Sequence, residues 1–243
     1  MNKLRRIVKY FILECSHFFN NDLNSKIIYY HDIHVDKPYT SMSTPFEVFK
    51  SHLKIMKDDG FEVVDKITQT RGQVMICFDD GWRGIYDIKD YLVTNHVPVT
   101  VFIAVSLIGK DGYLNVDEIK SLKQKGFNFE CHSWSHTNLA MFNDDELERE
   151  IKASRYHLEN QLGFTINDIC FPQGLYSDKV VDYSKRCGYK KLFSSVPGDY
   201  YDEIEPDVLR RNLVQFAGKR EFKLILHGAS KMFSTRILKK HKI

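Results

Sequence analysis

From residue 26 onward the chain alternates short apolar runs with segments of helical period, and that rhythm excludes most folds. KIIYY (26–30), FEVV (61–64), QVMICF (73–78), VPVTVFIAV (97–105), FNFEC (127–131), DICF (168–171) and KKLFSS (190–195) read as strands. LRRNLVQF (209–216) reads as the last one. Between them lie amphipathic helices over residues 45–60, 82–95, 116–126, 143–163, 177–188 and 219–240. Thr44, Pro45 and Glu47 look like a capping box with proline at the first helical position. Asn143 or Asp144 caps the long helix, and Gly188 ends the one at 177–188.

Strands alternating with helices imply a parallel sheet with right-handed crossovers. The fold class is α/β. The expected architecture is an irregular (β/α) barrel of about seven parallel strands, with an open doubly wound sheet as the alternative. No G-x-G-x-x-G follows any strand, which argues against a dinucleotide-binding sheet. The expected division is an N-terminal amphipathic helix at 1–22 and one barrel domain at 23–243.

The N-terminal stretch carries Leu4, Ile7, Val8, Phe11, Ile12, Cys15, Phe18 and Phe19 at helical spacing, with Arg5, Arg6, Lys9 and Glu14 elsewhere. Lys9 and Glu14 interrupt any signal-peptide core, and no apolar run has membrane-spanning length. Such a helix either lies on an anionic membrane surface or caps the barrel, and periodicity does not separate the two. A net charge of +3 is too mild to imply nucleic-acid binding. Five cysteines without a C-x-x-C give no disulfide framework and favour a reducing compartment.

In α/β folds, chemistry collects where strands end. His31 follows the first strand, Asp79 and Asp80 follow QVMICF, and His132 opens HSWSH after FNFEC. Pro172-Gln173-Gly174 follows DICF. His132 and His136, four apart, can face one metal on a helical turn or a tight loop. With a carboxylate they form a His₂-carboxylate set suited to Zn²⁺, and also to Co²⁺, Ni²⁺ or Fe²⁺. One aspartate of the pair would then bind the metal, and the other would act as a base toward its water.

The order F-D-D-G, H-S-x-x-H, F-P-x-G, over roughly residues 26 to 215, resembles the polysaccharide deacetylases. These are the NodB-homology domains of carbohydrate esterase family four. YYHDI ahead of FDDG looks like the branch acting on poly-N-acetylglucosamine-type polymers. The resemblance implies a hydrolase that removes N-acetyl groups from amino sugars by attack of a metal-bound water. It implies Asp79 as general base and Asp80, His132 and His136 as metal ligands. The backbone N–H of Gln173 would bind the oxyanion, and His31 would be the general acid. His227, in LILHG, is the rival acid.

Trp82, Trp134, Pro172 and Tyr176 are the expected substrate contacts. Cys170 stands where the family's third motif often has an arginine, and Arg210 or Arg211 is a candidate substitute. The expected substrate is an amino-sugar glycan or a lipid-linked saccharide. The expected location is cytoplasmic, with peripheral membrane contact through residues 1–20. No nucleic acid or obligate protein partner is expected. The competing functional classes are a non-haem iron oxygenase with the same ligand set and an inactive sugar-binding relative.

Overall fold

In the computed structural model, which describes residues 3–18, 21–201 and 207–243, the apolar runs become one parallel sheet. Its strands are β1 (Lys26–Tyr30), β4 (Glu62–Val63), β5 (Gln73–Phe78), β6 (Thr100–Ile103), β7 (Asn128–Cys131), β8 (Asp168–Cys170), β9 (Lys191–Phe193), β10 (Val208–Leu209) and β11 (Asn212–Leu213). A separate parallel pair is formed by β2 (Asp32–His34) and β3 (Ser43–Pro45). The helices are α1 (Lys3–His17), α2 (Phe46–Asp58), α3 (Gly84–Asp87), α4 (Lys89–Thr94), α5 (Val116–Gln124), α6 (Asp144–Leu147), α7 (Ser154–Leu162), α8 (Asp178–Arg186), α9 (Lys219–Leu226) and α10 (Ser234–His241).

The spatial order β10-β9-β8-β7-β6-β5-β1-β11 follows the chain from β5 to β10, as successive βα units require. The short β4 pairs with β5 at Gln73 and Val74, while β6 pairs with it at Cys77 and Phe78. The expected last strand is two strands. β10 pairs with β9, β11 pairs with β1, and only Arg210 and Arg211 separate them. The sheet therefore curls until its two edges are joined through that dipeptide, giving an irregular (β/α) barrel.

Burial on both faces explains why the strands read as unbroken apolar runs. All residues of β1, β5 and β6 are buried. Alternate residues face two different cores. Ile27, Tyr29, Met75, Cys77, Phe102, Cys170 and Phe193 pack together on one side. Ile28, Tyr30, Ile76, Phe78, Val101 and Ile103 pack with residues of the helix layer on the other. Lys26 is also buried, paired with Asp22 and Asp199.

Several local expectations are corrected. Thr44 caps no helix. It lies in β3, and its hydroxyl donates to the Gln215 carbonyl at 2.8 Å. α2 starts at Phe46, with Pro45 at its N-cap and Glu47 paired to Lys50. The segment 143–163 is capped by Asn143 but passes through a π-helical turn at Glu148–Ala153. The closing helix is broken at Gly228, whose φ of 89° interrupts the α conformation between α9 and the 3₁₀ turn Ala229–Phe233. All five cysteines are free.

α1 packs on the barrel against α9 and the turn at 229–233. It does so with the side opposite to the expected stripe. Leu13 and Ser16 are buried, while Val8, Phe11 and Phe18 are exposed. Burying a leucine is worth about 1.5–3 kcal/mol, so Leu13 is a substantial anchor. Leu4, Ile7 and Phe19 of the stripe lie outside the described side chains.

Candidate functional site

Because the sheet is parallel, β1, β5, β7 and β8 deliver their following residues to one end of the barrel. His31, Asp79, His132 and Gln173 line a single cleft of about 480 Å³ there, with His136, Tyr29 and Ser195. Leu13, Met42, Ile225, Phe233 and Ile237 make its walls largely apolar.

Among the described residues, five non-glycine residues have positive φ, and four of them lie in the three motifs: Asp80, Ser133, His136 and Gln173. Such backbone costs on the order of 1–3 kcal/mol each, and it turns these side chains away from the paths their strands would dictate. Gly174 follows Gln173 because a Cβ there would sit 2.6 Å from the Ser195 backbone nitrogen.

Asp80 is buried. Its Oδ1 lies 3.0 Å from His136 Nε2 and 3.4 Å from His132 Nε2. Its Oδ2 accepts a hydrogen bond from Trp82 Nε1 at 3.1 Å. His132 Nδ1 donates to the Cys170 carbonyl at 2.7 Å, which leaves its Nε2 with a lone pair directed at Asp80. Asp80 Oδ1 is buried and accepts no hydrogen bond. Three ligand atoms within 4.8 Å of one another, one of them an orphaned carboxylate oxygen, fit a divalent cation. Burial works to raise the Asp80 pKa, but the two imidazoles outweigh it and hold the carboxyl far below its usual range. For His136, burial works to lower the pKa, and Asp80 outweighs it to raise it.

Asp79, Cys170 and His132 form a second cluster. It is poorly suited to a cation. Burial pushes the Cys170 thiol well above its ordinary pKa, so it is not a thiolate. Asp79 already has a partner. Arg211 Nη1 and Nη2 donate to its two oxygens at 2.6 and 2.8 Å. Arg211 Nε donates to the Ser194 carbonyl, and its guanidinium lies 4.3 Å from the Tyr29 ring centre. Burial works to raise the Asp79 pKa. The arginine overrides it, so the carboxyl is held below its usual range and is ionised beside the cleft. Of the two arginines the sequence offered, Arg211 is thus the one that pairs with Asp79.

His31 Nδ1 lies 2.5 Å from Gln215 Oε1. An amide oxygen only accepts, so Nδ1 carries a proton and Nε2 is the nitrogen left for chemistry. His227 does not reach the cleft. It sits at the C-cap of α9, with Nε2 2.8 Å from Asp59 Oδ2 and Nδ1 3.1 Å from Asn21 Oδ1.

None of the four expected substrate contacts lines the cleft. Trp82 orients Asp80 and stacks on Tyr113 at 4.0 Å. Trp134 packs between His157 and Arg149. Pro172 is buried, and Tyr176 is buried and stacked on Phe171. Gln215 and the role of Trp82 escaped the sequence reading, since neither has a local signature.

The sequence profile of the polysaccharide deacetylase family matches residues 66–192, more than half of the chain. YxkH of Bacillus subtilis is 25% identical over 183 residues, which is 71% of this chain and 64% of that protein. A poly-β-1,6-N-acetyl-D-glucosamine N-deacetylase of Staphylococcus aureus is 26% identical over 136 residues, covering 50% of this chain and 47% of that one. The chain thus spans about half to two thirds of the length of these relatives. The solved structure of the Streptococcus pyogenes deacetylase PplD in complex with acetate aligns with a TM-score of 0.74 at 22% identity. It covers 84% of this chain and 99% of that one, a likeness of fold.

Proposed function

The chain belongs to the polysaccharide deacetylase family, and on that premise we propose that it hydrolyses the N-acetyl amide of amino sugars, releasing acetate and a free amine. The observation that carries this reading is the orphaned Asp80 Oδ1 facing two imidazole nitrogens, one residue from an aspartate held ionised by Arg211. The substrate is a glycan or lipid-linked saccharide of N-acetylated amino sugars. The Staphylococcus aureus relative, named for poly-β-1,6-N-acetyl-D-glucosamine, supports that class.

Asp80, His132 and His136 would hold the metal, with Zn²⁺ the best match to the donor set and Co²⁺, Ni²⁺ or Fe²⁺ also suited. A divalent cation there lowers the pKa of a water ligand and polarises the amide carbonyl. Asp79 accepts the proton of the attacking water, and its ion pair keeps one oxygen pair aimed and ionised. The Gln173 N–H donates to the oxygen that gains charge as the carbonyl carbon becomes tetrahedral. His31, steadied through Nδ1 by Gln215, gives a proton from Nε2 to the departing nitrogen.

Metal analysis joined to acetate release from a panel of N-acetylated oligosaccharides and lipid-linked sugars tests the reading. Stoichiometric metal with acetate release that Asp79→Asn abolishes is the expected result. Oxygen consumption by the ferrous protein, without acetate, would sink it.

A further inference from the structure

Phe233, Ile237 and His241 recur at steps of four, so they share one side of α10 and its immediate start, and all three line the cleft. The first two are apolar wall. The third is an imidazole that the hydrolytic steps leave unused. His241 Nδ1 lies 3.1 Å from the Gly174 carbonyl oxygen. A carbonyl only accepts, so Nδ1 carries the proton, and it does so in the neutral and the charged ring alike. Gly174 is buried, and a buried carbonyl needs a partner.

That carbonyl belongs to the turn that carries the Gln173 N–H. Gln173 has a φ of 59° and Gly174 one of 70°, two left-handed residues in succession. Such a turn is held by its surroundings rather than by its own preference. Its internal bonds run from Gly174 N–H to the Phe171 carbonyl at 2.9 Å and from Leu175 N–H to the Pro172 carbonyl at 3.2 Å. Neither uses the Gly174 carbonyl. Residues 241–243 run beside the chain that leaves the turn. Tyr176 N–H donates to the His241 carbonyl, and Ile243 N–H donates to the Tyr176 carbonyl, both at 2.9 Å. Lys242 Nζ lies 2.9 Å from Asp178 Oδ1. The backbone bonds fix Tyr176, and the imidazole reaches two residues further, into the turn itself.

We propose that His241 is a positioning residue of the hydrolysis, which through the Gly174 carbonyl fixes the Gln173 N–H toward the oxygen of the substrate amide. The proposal rests on the deacetylase reading and on the oxyanion role of Gln173 within it. A rotation about the two left-handed residues moves the Gly174 carbonyl and the Gln173 N–H together, so holding one aims the other. An oxyanion donor lowers the barrier only where it is already aimed as charge develops. A misplacement of about 1 Å can cost about 10²-fold in rate.

His241→Leu keeps bulk against the cleft and removes the donor, while His241→Asn keeps a donor near the place of Nδ1. Acetate release from N-acetylated oligosaccharides should show kcat about tenfold to hundredfold lower in His241→Leu, with KM changed by less than about twofold. His241→Asn should recover most of that loss. Amide hydrogen exchange of the full chain needs no turnover. The peptide spanning 171–176 should exchange about tenfold or more faster in His241→Leu and return toward the original rate in His241→Asn. Nitrogen NMR of the unsubstituted chain should find His241 protonated at Nδ1, which keeps the proposal testable if His241→Leu fails to fold. An Nε2–H tautomer overturns it. So does an unchanged kcat or exchange rate in folded His241→Leu, a loss carried by KM, or a loss that His241→Asn does not recover. Any of these in a chain that releases acetate leaves the deacetylase reading standing. An unsubstituted chain that releases no acetate sinks that reading and the proposal with it.

Discussion

Arg211 and Asp79 lie 132 positions apart and meet in a doubly hydrogen-bonded ion pair with both side chains buried. The pair ties the seam between β10 and β11 to the end of β5. One partner alone would leave an uncompensated buried charge, which costs about 3–5 kcal/mol. Arg211→Met is therefore expected to lower stability by that order and raise the Asp79 pKa. The acid limb of the kcat/KM profile then moves to higher pH, with a roughly tenfold to hundredfold loss at neutral pH. Adding Asp79→Asn to Arg211→Met should recover part of the stability and none of the activity. Denaturant unfolding and a pH–rate profile read the two effects separately.

Trp82 donates its indole N–H to Asp80 Oδ2, so on the proposed metal site its removal is expected to act on metal affinity rather than on sugar binding. Trp82→Phe keeps an aromatic ring to stack on Tyr113 and removes the donor. Metal affinity should fall about 10–100-fold by chelator competition, the usual effect of losing a partner that orients a ligand. KM for substrate measured at saturating metal should change little. A raised KM with unchanged metal affinity would return Trp82 to the substrate.

The strands were legible because a parallel strand buried on both faces leaves an unbroken apolar run, as QVMICF does. The ends of those strands then located His31, the aspartate pair and His132. Arg211 was not assignable, since its partner is 132 residues away and β10 and β11 are two residues each, too short for any period. The α1 stripe shows another limit. Spacing says which residues share a side of a helix, but not whether that side faces the domain or solvent. Thr44 looked like a cap because its hydroxyl can serve one, yet Gln215 captured it across 171 positions.

His31 lines the cleft and His227 does not, so the two histidines should separate cleanly. His31→Ala is expected to lower kcat by about 10²–10⁴-fold, the usual range for a lost general acid. Gln215→Leu should produce a smaller loss of the same kind, because it frees the ring without removing it. His227→Ala should leave kcat unchanged and lower stability by about 1 kcal/mol through its pair with Asp59. Steady-state acetate release with a parallel unfolding curve decides it. A large kcat loss in His227→Ala alone would reverse the assignment.

His52 of α2 is fully buried against α9, stacked on Phe222 with ring centres 3.9 Å apart. Its Nε2 donates to the Ala217 carbonyl at 3.0 Å, and its Nδ1 accepts from the Tyr30 hydroxyl at 2.8 Å. That arrangement serves the neutral ring. Burial lowers its pKa from 6.5 to about 4, against a smaller upward pull from the Ala217 carbonyl. As pH falls below 6.5 the unfolded chain takes up the proton first, so folding loses stability down to about pH 4 and levels off below it. The loss is on the order of 3 kcal/mol at most. His52→Asn keeps an acceptor and a donor but does not titrate. It should flatten the stability profile between those limits, whatever its effect on absolute stability. Urea unfolding of both chains across that range measures the difference, and parallel slopes would exclude His52 as the titrating group.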